Sequence, residues 1–336
     1  MVPWTTLSRR RLLAGSAAGL ACAAAWPARR ALAQAAGVQT ARILVGYPPG
    51  GSTDAMARFL AEKMRGGYAP AVIVDNKPGA NGQIAAASVK GDAADGSAML
   101  LTPSPAIAIS PHIYPRLNYD PLRDFTPVTA VSTFPHLVSV GPGMPAEVRT
   151  MADLAGWAKA NPQGASYGTA GAGSVPHFLG VVLARAAGVE LTHVPYRGDA
   201  PALQDLLGGQ VPLVIGTLGA ALPHVQAGKL RALATTGPQR TPLLPDVPTV
   251  REAGYPGVEI RDWFGVFLPS ATPAAVVESA YASIRDALRT KEVTEGLAKL
   301  AFEPGGESPA EFARLVRADY DRWGPVVKES GFKPEN

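Results

Sequence analysis

The stretch Ile43–Met64, which reads ILVGYPPGGSTDAMARFLAEKM, decides the fold and points to a binding site. The apolar run Ile43–Val45 predicts a strand, Pro48–Gly51 predicts a turn, and Ser52 begins a helical pattern. The first turn of a helix leaves backbone N–H groups without intrahelical partners, and the helix dipole adds partial positive charge there. Because glycine carries no Cβ, a ligand can approach the backbone closely. This order of elements is typical of an anion-binding loop.

The same stretch has a plainer interpretation. Any connection from a strand to a helix can carry glycines, with Ser52, Thr53 or Asp54 serving only as the helix N-cap. The stretch alone leaves both interpretations open. It is not a nucleotide-hydrolase phosphate loop, because no lysine follows the glycines, and it lacks the GxGxxG spacing of dinucleotide-binding loops.

Residues 1–33 are predicted to be a twin-arginine-type signal peptide that is cleaved from the mature protein. Ser8–Leu13 contains three consecutive arginines, an apolar run follows over Leu12–Trp26, and Ala31–Ala33 forms an A-x-A cleavage site. The alternative is a membrane anchor, but an apolar run of about fifteen residues is shorter than the roughly 20 that a spanning helix needs. The mature chain is therefore expected to begin near Gln34.

Removal of this segment changes the charge and the chemistry of the chain. Five of the 31 basic residues and none of the 27 acidic residues lie in 1–33, so the net charge falls from +4 to −1. Nucleic-acid binding, which a basic chain would favour, loses its support. Cys22 is the only cysteine, so the mature chain has neither disulfides nor thiolate metal ligands. Lipid attachment at Cys22 fits less well, because Gly19 stands three residues before the cysteine, where a leucine is usual.

The order of predicted elements indicates an α/β fold with two domains. Three βα units predict a small parallel sheet, followed by a turn-rich segment Tyr114–Pro127 and a strand at Leu137–Val140. A second alternation of helices and strands occupies 151–235. The apolar run Trp263–Leu268 predicts a strand that carries the chain back, and helices follow up to Pro309–Lys328, whose aromatic residues are expected to lie in the core.

The loop Gly168–Ser174 repeats the pattern of the opening stretch in the second half of the chain. A strand ends at Tyr167, glycines follow, and Ser174 is placed to cap a helix. Two helix N-termini, one in each domain, would form an anion site if the domains face each other across a cleft. In the nearby segment His193–Gly198, Arg197 is either a partner for a carboxylate or a solvated arginine on a loop.

Catalysis and metal binding find little support in the sequence. Ser174 and His177 resemble a nucleophile and its base, but they are three residues apart on one helix and no G-x-S-x-G turn surrounds the serine. The five histidines do not have the spacing of a zinc site. We therefore predict a protein that is not an enzyme and needs no metal and no cofactor.

Several ordered motifs show that the mature chain is similar to the Bug-type extracytoplasmic solute receptors, the binding proteins of tripartite tricarboxylate transporters. The resemblance covers nearly all of the chain after the signal segment. It is carried by Tyr47–Asp54, Asn76–Gly82, Tyr119–Pro121, Asp124–Val128, Tyr167–Ser174 with His177, His193–Gly198, Leu206–Val211, Ala227–Ala234 and Leu244–Val250.

The resemblance implies a two-domain periplasmic-binding-protein fold that closes like a flytrap around a ligand, with two crossing hinge strands. Domain 1 is then expected to comprise 34–136 plus 264–336, and domain 2 to comprise 137–263. The implied partners are a small organic carboxylate and transporter membrane subunits, with no nucleic acid, for a monomer in the periplasm. The implied ligand-binding residues are Tyr47, Pro48, Gly50, Gly51, Ser52, Thr53, Asp54, Thr102, Ser104, Thr169, Ala170, Gly171, Gly173, Ser174, His177, Tyr196, Arg197 and Thr217.

One departure from the family pattern bears on the ligand. After Gly209–Val211 the family often has an aspartate, whereas this chain has Gly216 where that acid would lie. Absence of the acid disfavours amino-acid ligands and leaves other carboxylates. Tyr47 replaces a common phenylalanine and adds a hydroxyl group. The resulting hypothesis is a receptor that delivers a carboxylate to a transporter; the alternatives are a carboxylate sensor and an exported serine hydrolase.

Overall fold

A computed structural model of the protein describes residues 37–334. The predicted signal segment 1–33, its cleavage site and Cys22 lie outside the described residues. Within 37–334, no helix combines the length and the apolar character that crossing a membrane requires.

The first lobe begins with three parallel strands that alternate with helices. Its elements are β1 (Thr40–Val45), α1 (Ser52–Met64), β2 (Ala71–Asn76), α2 (Gln83–Lys90) and β3 (Ala98–Pro103). β1 lies between β2 and β3, and Val45 is opposite both Asn76 and Leu101. The carboxyl ends of the three strands therefore meet at one edge of the sheet, which brings the loops that follow them together.

The first sheet is larger than predicted and is mixed. Two short helices, α3 (Pro105–Ala108) and α4 (Ser110–Ile113), lead to strand β4 (Phe125–Phe134), which begins inside the segment predicted to be turn-rich. β4 pairs antiparallel with β10 (Asp262–Pro269), and with β11 (Glu303–Pro304) the order is β11-β4-β10-β3-β1-β2. The strands of the three predicted βα units do pair in parallel, but they form only part of a larger mixed sheet. Pro127 fits within β4 because it faces Phe267, where the register shifts.

The second lobe repeats the alternation around a five-stranded sheet. Its strands in spatial order are β7 (Thr192–Pro195), β6 (Ser166–Thr169), β8 (Leu213–Thr217), β5 (His136–Val140) and β9 (Arg231–Thr235). β6 is parallel to β7 and β8, whereas β5 is antiparallel to β8 and β9. The pattern analysis missed one helix, Leu218–Gln226, which follows a strand directly and contains Pro223. In chain order the elements are β5 (His136–Val140), α5 (Met151–Ala160), β6 (Ser166–Thr169), α6 (Val175–Ala187), β7 (Thr192–Pro195), α7 (Asp199–Leu207), β8 (Leu213–Thr217), α8 (Leu218–Gln226) and β9 (Arg231–Thr235).

Three helices complete the chain: α9 (Ala274–Leu288), α10 (Lys291–Lys299) and α11 (Pro309–Ser330). α11 is shared between the lobes. Phe312 and Val316 pack with the apolar residues of the first sheet, whereas Trp323 and Val327 pack into the core of the second lobe beside Phe178. The assignment of 264–336 to domain 1 stays a prediction, to which the structure adds that α11 packs on both cores. The domain boundaries near 136 and 263 stay a prediction.

The chain crosses between the two sheets at Pro135, which joins β4 to β5, and again before β10. A buried polar network lies where these crossings meet the end of β3. Ser104 Oγ donates a hydrogen bond of 2.5 Å to Asp262 Oδ1, and His136 Nε2 lies 3.0 Å from Asp262 Oδ2. All three side chains are at least 95% buried. These contacts tie β3 to both crossings between the lobes.

Candidate functional site

The loop after β1 is built around close backbone packing. A Cβ on Gly46 would overlap the backbone of Gly82, so the absence of a side chain lets the two loops touch. Gly50 has φ of +89°, a conformation that favours glycine. Gly51 is the N-cap of α1 and makes no side-chain cap bond. Pro48, Gly50, Gly51 and Ser52 are exposed, and Thr53 is buried.

Asp54 holds this loop together from inside. Its Oδ2 accepts hydrogen bonds from Gly50 N at 2.9 Å and from Arg58 Nε at 2.8 Å, and its Oδ1 accepts from Asn76 Nδ2 at 3.0 Å. The Arg58 hydrogen bond is the main cause that lowers the pKa of Asp54 to about 2, so the carboxylate stays ionised. Asp54 was predicted to bind the ligand, and both of its oxygens accept hydrogen bonds from the protein, which come from the loop, from α1 and from the end of β2.

Tyr47 and the turn Ala80–Gly82 meet beside this loop. Tyr47 Oη donates a hydrogen bond of 3.2 Å to the carbonyl oxygen of Asn81, and burial raises the pKa of Tyr47, which keeps the phenol neutral. Ala80 and Asn81 have φ of +47° and +53°. Residues other than glycine adopt such angles at a cost, and strain of this kind concentrates at functional sites. The sequence analysis quoted this turn but did not place Asn81 in the site.

The loop after β6 has the same outline but different internal contacts. Ser174 caps α6: its Oγ accepts from His177 N at 3.4 Å and donates to the carbonyl oxygen of Gly171 at 2.7 Å. Thr169 Oγ1 lies 3.1 Å from the same Gly171 oxygen. Gly173 has φ of +75°. The two hydroxyl groups therefore shape the loop, as caps and turn-forming residues do elsewhere.

Two stacked histidines support this second loop. The rings of His177 and His193 are 4.0 Å apart at an angle of 19°. Burial lowers the pKa of His177 to about 4; for His193, burial and the neighbouring His177 lower the pKa to about 3. Both rings are neutral near pH 7. Since Gly173 N donates to His177 Nδ1 at 3.1 Å, the proton of the His177 ring lies on Nε2.

A cavity of about 170 Å³ separates the two halves of the candidate site. It brings Tyr47 of the first lobe opposite four predicted residues of the second loop, namely Ala170, Gly171, Gly173 and Ser174. Polar groups that the sequence analysis missed also line it. The complete lining is Tyr47, Asn81, Pro105, Ser110, Ile113, Tyr114 and Ala170–Ser174. No three acidic, histidine or cysteine side chains of the described chain are grouped as a metal would require.

The remaining predicted residues lie around the cavity without lining it. Thr102 is buried at the end of β3, and the Ser104 hydroxyl donates its hydrogen bond to Asp262. Tyr196 Oη donates to Asp205 Oδ2 at 2.8 Å, and Arg197 is exposed. The residues that the sequence missed here, Ser110 and Tyr114, come from the irregular region after β3, which no motif identifies.

The sequence was expected to leave the place beside Gly216 without an acidic side chain, but the side chain of Asp199 lies there. A Cβ on Gly216 would be 2.7 Å from Asp199 Oδ1, so the glycine leaves room for an acid from the start of α7. Thr217 Oγ1 donates to Asp199 Oδ2 at 2.7 Å, which uses a hydroxyl that was predicted to face the ligand. Asp199 follows the quoted motif His193–Gly198 directly, so the motif stops one residue short of it.

Comparisons with known proteins identify the family. The family description TctC, "Tripartite tricarboxylate transporter family receptor", matches residues 56–332. Protein BugT of Bordetella pertussis is 33% identical over 293 residues, which cover 87% of this chain and 89% of that protein.

Two solved structures with bound ligands share the fold. The R. palustris Rpa4515 structure with adipate is 36% identical with a TM-score of 0.75, over 88% of this chain and 98% of that chain. MatC of Rhodopseudomonas palustris with bound malate is 31% identical with a TM-score of 0.73, over 87% and 99%. These matches confirm the two-lobe periplasmic-binding-protein fold and the resemblance to the Bug proteins, and the chain belongs to the TctC family of tripartite tricarboxylate transporter receptors.

Proposed function

We propose that this protein captures a small organic carboxylate between its two lobes and delivers it to the membrane subunits of a tripartite transporter. The observation that carries the proposal is the cavity in which Tyr47 and Asn81 face Ala170–Ser174. Each side of this cavity adjoins a strand, a glycine-containing loop and a helix N-terminus. Such helix starts attract anions through unpaired N–H groups and the helix dipole.

The side chains around the cavity favour recognition by neutral donors. His177 and His193 are neutral, Tyr47 is neutral, and the charge of Asp54 is already paired with Arg58. A carboxylate held by N–H and hydroxyl groups is stabilised without a buried ion pair. The relatives described with adipate and malate support the ligand class, since both ligands are dicarboxylates. The ligand of this chain is therefore proposed to be a carboxylate of similar size.

The same geometry argues against a serine hydrolase. Ser174 Oγ donates its hydrogen bond to a carbonyl oxygen, and His177 Nδ1 accepts from the backbone of Gly173. A nucleophilic serine needs a histidine nitrogen as its hydrogen-bond acceptor. We therefore assign Ser174 to the lining of the binding site and His177 to the support of its loop, and neither to catalysis.

We further propose that the protein works in the periplasm as a monomer, after export by the twin-arginine route. The lobes are proposed to comprise 34–136 with 264–336 and 137–263, with α11 shared between them. The two crossings near Pro135 and Arg261 then serve as the hinge. A ligand that contacts both loops would favour the closed arrangement of the lobes.

Calorimetric titration of the mature chain against dicarboxylates, tricarboxylates and aromatic carboxylates tests the proposal. We expect one carboxylate class to bind and neutral sugars and amines not to bind. Binding of sugars or amines without any carboxylate would overturn the proposal.

Gly51→Leu provides a direct test of the first loop. Gly51 has φ of −78°, and a Cβ there would meet only the Pro48 carbonyl oxygen at 3.7 Å, so leucine fits the folded chain. We expect the side chain to block the helix start and to weaken carboxylate binding at least about tenfold. Gly67→Leu is the matched control, because Gly67 is also exposed and a Cβ there would meet one backbone oxygen at 3.9 Å. Equal affinity in both variants would exclude this loop from the site.

A further inference from the structure

We propose that Phe332, just after α11, is a positioning residue for the carboxylate-binding loop Thr169–Ser174 and acts through the stacked rings of His177 and His193. The inference rests on the proposed function, because it names a residue that shapes the same site. Phe332 lies more than 150 residues from this loop in the sequence, and no motif connects the two.

The chain turns sharply after α11 to bring Phe332 to the second lobe. Gly331 has φ of +67° and ends the helix, and Phe332 N donates a hydrogen bond of 3.1 Å to Ser330 Oγ. An ion pair between Glu329 and Arg185 holds the end of α11 against α6. The helix end and the turn after it therefore have a defined position on α6.

The ring of Phe332 contacts the support and lies next to the loop. Its centroid is 4.9 Å from that of His177, with the rings at 76°, and 5.9 Å from that of Phe178. A Cβ on Gly173 would lie 3.8 Å from Phe332 Cε1, which is van der Waals distance. An edge-to-face arrangement of this kind is favourable beyond the apolar area that it buries.

The two stacked histidines connect Phe332 to both ends of the loop Thr169–Ser174. His177 Nδ1 accepts from Gly173 N near the end of the loop, at 3.1 Å. His193 Nε2 lies 2.8 Å from Thr169 Oγ1 at the beginning of the loop. Because the two rings stack at 4.0 Å, a shift of His177 requires a shift of His193. Phe332 thus limits the movement of the loop at Thr169 and at Gly173.

Neutral rings are necessary for this arrangement. A protonated His177 Nδ1 could no longer accept from Gly173 N, and two charged stacked rings would repel each other. The titratable side chain that packs on the pair is Tyr167: its ring centroid is 5.0 Å from that of His193, and its Oη donates to the His177 carbonyl oxygen. Phe332 packs beside the His177 ring in an edge-to-face arrangement and adds to its burial, which favours the neutral form.

The test compares Phe332→Ala with Val326→Ala. Val326 is also a partly buried residue at the same end of the chain that packs on the second core, so its variant controls for lost apolar contact. Adipate and malate are the probes, in calorimetric titrations from pH 7.5 to 4.5. We expect Phe332→Ala to weaken binding about two- to tenfold at pH 7.5, the range expected for a lost aromatic contact. Phe332→Tyr, which keeps the ring, is expected to restore the affinity.

The pH profile separates positioning from general stability. In the parent protein, affinity should hold down to about pH 5, because the pKa of His177 is about 4. In Phe332→Ala the exposed ring is expected to titrate nearer its ordinary pKa of 6.5, so affinity should fall between about pH 6.5 and 5. NMR titration of the His177 ring should show the same upward shift.

Phe332→Ala with the affinity and pH profile of Val326→Ala would overturn the inference. If the parent protein binds no carboxylate at all, the proposed function fails instead. In that case the NMR titration still decides, because an unchanged His177 titration in Phe332→Ala would contradict the positioning role.

Discussion

The two loops that face the cavity share an outline but are held by different chemistry. Both connect a strand to a helix through glycines with positive φ, at Gly50 and at Gly173. Inside the first loop, an ionised carboxylate, Asp54, accepts hydrogen bonds from Arg58, Asn76 and the backbone. In the second loop, neutral histidines and hydroxyl groups make the hydrogen bonds that hold the backbone. The same sequence pattern can therefore produce one loop that depends on a charge and another that depends on its absence.

Removal of the carboxylate in the first loop is expected to have the largest effect. Asp54→Ala removes the buried acceptor of Gly50 N and one of the two acceptors of Asn76 Nδ2, which still donates to the Tyr47 carbonyl oxygen. We expect the free energy of unfolding to fall by about 2–3 kcal/mol, as for buried hydrogen bonds to a charged group. Urea unfolding measures this change. Arg58→Ala, which removes the solvent-exposed partner, should lower the free energy of unfolding by clearly less, and an equal cost would refute a carboxylate-centred loop.

The dependence of stability on pH should distinguish the two loops. His177 and His193 have pKa values below their ordinary 6.5, so the unfolded chain binds more protons and stability falls as pH decreases from about 6.5 towards 4 and 3. Each ring contributes at most about 1.4 kcal/mol per pH unit in this window. Asp54, with a pKa lowered from 3.8 to about 2, loses its contribution only below about pH 4.

Urea unfolding of the parent protein and of His177→Gln with His193→Gln, between pH 7 and 3, checks these windows. The double variant should have a flatter profile from pH 6.5 to 4, and a smaller difference in slope between pH 4 and 3, where only His193 still contributes. A parallel profile would show that the histidines titrate alike in the folded and unfolded chain.

The smallest effect is expected for the Tyr47 hydroxyl. Tyr47→Phe removes a 3.2 Å hydrogen bond to the strained residue Asn81 and keeps the ring. We expect unfolding to become easier by about 0.5–1 kcal/mol, with carboxylate affinity changed by less than about fivefold. Thermal unfolding and calorimetry measure the two quantities. A loss of affinity larger than that of Gly51→Leu would make this hydroxyl the main ligand donor of the first lobe.

Local patterns were enough to predict much of the fold. The β1 and β6 loops and their helices follow the sequence closely, because apolar periodicity and glycine position are local properties. The start of β4 was not predicted, because a proline such as Pro127 usually interrupts a strand. In the structure, Pro127 is accommodated because the pairing of β4 with β10 has an irregular register at this point. Long-range pairing of this kind leaves no signal in the segment itself.

In the candidate site, too, local motifs predict some of the residues, whereas the roles of others depend on tertiary contacts. Tyr47 and Ala170–Ser174 line the cavity as the loop pattern predicts. The use of Asp54 within its own loop, the position of Asp199 over Gly216 and the packing of Phe332 on His177 all depend on contacts between distant segments. Sequence motifs identify the loops that form a site, whereas tertiary packing decides which side chains in them remain free for a ligand.

The shared helix α11 has a consequence for how the molecule can be divided. Its first half completes the core of one lobe with Phe312, and its second half completes the other core with Trp323. A fragment of residues 137–263 would therefore lack the large aromatic side chain that fills its interior. The two lobes are distinct in their sheets, yet neither is an independent folding unit that could be excised, exchanged or expressed alone.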